Sequence, residues 1–66
     1  MDIQINGDWR SFPDGTTVAA LLETLGTARR GVAVALDGEV VRRGDWADVV
    51  VPAGARLDIL TAVQGG

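Results

Sequence analysis

Apolar and polar residues alternate from the second position, with Ile3 and Ile5 set between Asp2, Gln4 and Asn6. That is the period of a half-buried strand. Asn6-Gly7 follows, a pair that tolerates positive φ and so favours a tight primed hairpin turn. Trp9 to Phe12 reads as the returning strand. A two-residue loop puts Phe12 on the face of Ile3 and Ile5 and Trp9 on the other; a three-residue loop reverses that assignment. Pro13-Asp14-Gly15 forms a turn, after which Thr16 or Thr17 is placed to cap a helix. Val18, Leu21, Leu22 and Leu25 then fall at i, i+3, i+4 and i+7 and make one apolar stripe. Gly26 stands where a left-handed C-terminal cap belongs.

Gly31 opens a third strand, Val32-Ala33-Val34-Ala35-Leu36, whose larger residues point one way and whose alanines point the other. Asp37-Gly38 turns the chain into a short strand at Val40-Val41. Arg43 to Ala47 reads as an irregular or single-turn segment that lets Trp46 cover one end of the core. Val49-Val50-Val51 is a short apolar run stopped by Pro52, and Arg56 to Val63 is the last strand, with Leu57 and Ile59 alternating with Asp58 and Leu60. One helical stripe must cover one face of a mixed sheet, since a single layer cannot bury itself. Pairing the first and last strands in the sheet centre would bring the C-terminus out at the sheet's edge. The expected class is α+β, a ubiquitin-like β-grasp with a mixed four- to five-stranded sheet on one main helix. Residues 1–62 are expected to form the globular unit and 63–66 a flexible tail.

Sixty-six residues make one domain. A chain of this size buries only about 60% of the surface exposed when unfolded, so its core must be economical. With no Cys and no His, it lacks disulfides, thiolate metal sites and the usual acid–base side chain near neutral pH. No apolar run approaches the ~20 residues that cross a bilayer, and the first residues lack the basic flank of a signal peptide. A soluble cytoplasmic protein with no membrane partner is expected. Net charge −3 argues against a nucleic-acid partner, which calls for a basic stripe. All six cations are Arg, so no ε-amine is available for Schiff-base chemistry.

The chemistry therefore concentrates at the last two positions. Gly65 and Gly66 lack Cβ atoms and form a thin thread that a narrow slot could enclose. Fully extended, residues 63–66 reach roughly 13–14 Å. On the last strand Leu60 and Ala62 are expected to point away from the helix beside Ala33 and Ala35, a flat apolar patch that fits equally a partner surface and an ordinary thinly covered sheet face. Other signals read as structure. Arg43-Gly44-Asp45 matches an integrin-binding tripeptide by coincidence, and Trp46 is a core lid. Arg29-Arg30 and Arg42-Arg43 are solvated faces. Asp37, Glu39, Asp45 and Asp48 lack calcium-loop spacing. Thr16 and Thr17 have no base to activate them. No metal site is expected.

The chain resembles the ThiS family of sulfur carriers in thiamine thiazole biosynthesis, over nearly its whole length. The resemblance rests on Ile3-Gln4-Ile5-Asn6-Gly7, on Gly15-Thr16-Thr17-Val18 with Leu21-Leu22, and on Ala33-Val34-Ala35-Leu36-Asp37-Gly38-Glu39-Val40-Val41. It continues through Arg43 and Trp46 to Ile59-Leu60-Thr61-Ala62-Val63-Gln64-Gly65-Gly66. Arg42 departs from the family's common Pro before Arg43, which loosens a surface turn.

The resemblance implies a carrier, a protein co-substrate and not an enzyme. A ThiF-like adenylyltransferase would use ATP to convert the Gly66 carboxylate to an acyl-adenylate, with Gly65 giving access. Sulfur from a donor such as a cysteine desulfurase would then leave a thiocarboxylate, which a ThiG-like thiazole synthase accepts. The carrier itself would bind no cofactor. Leu60, Ala62, Val63, Gln64, Ala33 and Ala35 would face these partners. Two alternatives stay open within the class: the small subunit of molybdopterin synthase, and a carrier for cysteine or tRNA thiolation. A non-covalent ubiquitin-like interaction module is the alternative of another class.

Overall fold

The computed structural model describes residues 1–27 and 31–61. Within them five strands form one mixed sheet. These are β1 (Asp2–Ile5), β2 (Asp8–Ser11), β3 (Val32–Leu36), β4 (Glu39–Val41) and β5 (Arg56–Thr61), in the order β2-β1-β5-β3-β4. One helix, α1 (Val18–Thr24), joins the two halves of the sheet, and a 3₁₀ turn spans Arg43–Asp45. This is the expected β-grasp arrangement with the full five strands.

The hairpins follow from their turns. Ile5 pairs with Asp8, leaving only Asn6 and Gly7 in the first loop, at φ 48 and 91. Asp37 and Gly38 take φ 48 and 87 in the second loop, between Leu36 and Glu39. Positive φ at both central residues matches the right-handed twist of the flanking strands. The two-residue first loop settles the face of Trp9. It stands opposite Gln4 and is 61% exposed, whereas Phe12 is buried with Ile3 and Ile5. The returning strand is Asp8–Ser11, and Phe12 extends the ladder by one pair through bonds with Met1.

Thr17, and not Thr16, caps α1 by accepting from the Ala20 amide at 3.2 Å. The Thr16 hydroxyl instead donates to the Pro13 carbonyl. At the other end Gly26 N–H reaches the Glu23 carbonyl and Thr27 N–H the Leu22 carbonyl, the paired bonds of a Schellman cap. Val18, Leu21 and Leu22 are fully buried and Leu25 is half-buried. Their stripe meets Ile3, Ile5, Val34, Leu57 and Ile59 from the sheet.

The long return from β4 to β5 closes the core. Trp46 is 5% exposed, its Nε1 donates to the Val41 carbonyl at 2.9 Å, and the Arg43 guanidinium lies 5.4 Å from its ring centre. Val49–Val51 is not a strand. It runs beside the start of α1 through a bridge between Val50 and Thr17, with Val51 buried and Val50 exposed. Sequence periodicity could not show this, because three consecutive valines carry no alternation.

β1 and β5 pair in parallel at Gln4–Arg56 and Ile5–Leu57, and β5 is the middle strand. The described part of β5 therefore ends at Thr61 in the middle of the sheet's width, past the end of β1 and beside β3, with the first and last strands paired in the sheet centre as expected. The expected boundary after residue 62 and the arginines at 29 and 30 lie outside the described residues.

Candidate functional site

Alternation along β5 sends Leu57 and Ile59 into the core and Arg56, Asp58 and Leu60 to the opposite face of the sheet. Among the described residues no helix covers that face. Leu60, 70% exposed, lies opposite Ala33, and Ala35 lies opposite Asp58 on one side and Val40 on the other. Ala33 is exposed and Ala35 half-buried. Three of the expected partner-facing residues are thus brought together on one surface. The other expected site residues, Ala62, Val63, Gln64, Gly65 and Gly66, lie outside the described residues.

Val40 belongs to this surface and was not singled out from the sequence. It is 79% exposed, the most open of the large apolar side chains described. Its signal was the pairing of Val41 with Val34, which turns Val41 inward and Val40 outward. Small residues on β3 leave Leu60 and Val40 standing above a shallow floor. A surface of that kind buries apolar area on contact with little side-chain ordering. Arg56 and Asp58, paired at 3.4 Å, border it towards β1. Beyond them Trp9 stands on the same face, beside Gln4.

The described residues hold no buried polar or charged side chain. Nor do they contain a group of three or more His, Cys, Asp or Glu that could hold a metal ion. No described helix is long and apolar enough to cross a membrane. What the described surface offers is contact area beside the end of the central strand.

The same fold recurs in known proteins. The model of the ThiS family matches residues 3–66. The sulfur carrier protein ThiS of Escherichia coli K12 is 32% identical, with all of both chains covered. A thiazole synthase of Paramagnetospirillum magneticum is 41% identical over the whole chain, which spans 20% of that protein's length. Among solved structures, the thiamine biosynthesis protein ThiS of Geobacter metallireducens superposes with a TM-score of 0.78 at 33% identity, with both chains fully covered.

Proposed function

This chain belongs to the ThiS family, and from that premise we propose that it is a sulfur carrier in thiamine thiazole biosynthesis. The observation that carries the reading is the end-to-end match to a sulfur carrier protein, with Gly65 and Gly66 inside the matched span. The working atom is the carbonyl carbon of Gly66.

A terminal carboxylate is ionised at neutral pH and repels nucleophiles. Its activation needs a leaving group, which ATP supplies through a ThiF-like adenylyltransferase. The carboxylate oxygen attacks the α-phosphorus, pyrophosphate departs, and an acyl-adenylate forms. The persulfide sulfur delivered by a cysteine desulfurase adds to the carbonyl carbon, and AMP leaves with the original oxygen. A thiol then cleaves the resulting acyl disulfide, forming a disulfide with the donor cysteine and releasing the thiocarboxylate. The net change is one carboxyl oxygen replaced by sulfur. The thiocarboxylate is a soft nucleophile on a narrow stem, and a ThiG-like thiazole synthase takes the sulfur from it. The chain is the co-substrate in every step and catalyses none.

The rigid body has a separate task. Leu60, Ala33 and Ala35 form a contact surface that lies beside the end of β5. Partners that close on this surface meet the end of β5 at Thr61 next to it. The full coverage of a sulfur carrier protein and the match to one fifth of thiazole synthases support a carrier with a close relation to that enzyme.

Pyrophosphate release tests this reading. With ATP and the cognate adenylyltransferase, the intact chain is expected to release pyrophosphate in amounts matching the carrier, and a chain lacking Gly66 to release none. Equal release from both would refute it.

A further inference from the structure

At Ile5 the first strand runs out while the last strand continues. The hairpin turn carries β1 away after one final backbone bond, from the Asn6 amide to the Leu57 carbonyl at 3.0 Å. β5 goes on to Thr61. Backbone groups on a strand point to alternate sides, so the N–H and C=O of Ile59 face the flank that β1 has left. The Asn6 side chain takes the vacant position. Ile59 N–H donates to Asn6 Oδ1 at 2.7 Å, and Asn6 Nδ2 donates to the Ile59 carbonyl at 3.1 Å. A carboxamide offers an acceptor and a donor side by side, the same pair that a strand residue would present.

The second hairpin shows why the residue is Asn. Asp37 occupies the equivalent turn position, again at φ 48. There the Arg56 amide donates to Asp37 Oδ1 at 2.9 Å, while the Asp37 backbone amide donates to the Arg56 carbonyl at 2.8 Å. The side chain need only accept, and a carboxylate does that. At Asn6 the backbone amide is already spent on Leu57, so the donor must come from the side chain. Asp would suit the turn and fail the pairing.

We propose that Asn6 is a positioning residue that holds the outer end of β5 in line, so that Thr61 is presented beside the Leu60 surface in a fixed direction. Without it, the last residues of β5 are held by β3 alone, through the pairs at Ala33–Leu60 and Val32–Thr61. The clamp is a property of the body. Its consequence, delivery of Gly66 to an activating site, rests on the carrier reading.

Two substitutions separate the turn from the clamp. Asn6→Gly keeps the positive φ and removes both bonds; Asn6→Asp keeps the shape and the acceptor and removes the donor. Amide exchange followed by NMR in the free protein reads the clamp. Exchange at Ile59 is expected to quicken roughly tenfold in Asn6→Gly, the equivalent of one to two net hydrogen bonds, with Leu57 unchanged. Steady-state charging by the adenylyltransferase reads the positioning. KM, corrected for the folded fraction measured by circular dichroism, is expected to rise about tenfold in both variants with kcat nearly constant; general loosening of the fold would raise only the uncorrected KM.

Slow exchange at Ile59 in Asn6→Gly would overturn the clamp whatever the function. Faster exchange with unaltered KM would overturn the positioning role. Wild-type protein that accepts no adenylate would overturn the carrier reading and the positioning role together, and the exchange data would still report on the clamp.

Discussion

Leu60 stands directly across from Ala33 in the β5–β3 pair, on the face of the sheet that the helix does not cover. The large residue is on the strand that leads to the tail, and the small one is on its neighbour. This order leaves Leu60 prominent and its surroundings low. Leu60→Asp should therefore leave the melting transition within about 0.5 kcal/mol of wild type, as for other open surface positions. Charging by the adenylyltransferase should fall at least tenfold, about 1.4 kcal/mol of lost contact energy. Unchanged charging kinetics in a folded Leu60→Asp protein would remove this face from the docking account.

The core offers the opposite case. Leu22 is fully buried in the core cluster that α1 shares with the sheet. Leu22→Ala is expected to cost about 2–5 kcal/mol. A domain this small has little margin, so much of the protein should be unfolded at 37 °C by circular dichroism. A loss below about 1 kcal/mol in urea titration would mean that the helix stripe is not the main anchor.

Trp46 closes one end of that core and meets a polar need as well. Its Nε1 satisfies the Val41 carbonyl, and Arg43 lies over its ring. Trp46→Phe keeps an aromatic body and loses the donor, which should cost about 1–3 kcal/mol. Arg43→Ala, which removes only the stacked cation, should cost no more than about 1 kcal/mol. The reverse ranking in thermal melts would show that the cation, not the indole bond, holds the lid.

Gly65→Val tests the stem. A β-branched side chain widens the backbone and restricts its dihedrals, so the carrier reading expects normal folding and a loss of charging of a hundredfold or more, about 2.7 kcal/mol. Efficient charging of that variant would show that the activating site is not a narrow slot.

Much of this architecture was legible because local chemistry and periodicity agreed. Asn6-Gly7 and Asp37-Gly38 announced their turns, and the stripe from Val18 to Leu25 announced α1. The face of Trp9 was open until the pairing of Ile5 with Asp8 fixed the loop length, since a shift of one residue reverses every side chain. Val40 lay hidden because two adjacent valines show no alternation. The clamp between Asn6 and Ile59 could not be read at all, because it joins positions 53 apart in the chain. At the site, Leu60, Ala33 and Ala35 were placed correctly on one face by strand parity. The reactive role proposed for Gly65 and Gly66 rests on sequence and family, as both lie outside the described residues.

The most direct test of the central claim is the intact mass of the protein after incubation with ATP, the adenylyltransferase and a sulfur donor. The account predicts a single gain equal to exchange of one oxygen for sulfur, localised by fragmentation to Gly66 and absent without ATP. A mass that stays unchanged while the adenylyltransferase is active on another carrier, or sulfur found on any other residue, would contradict it.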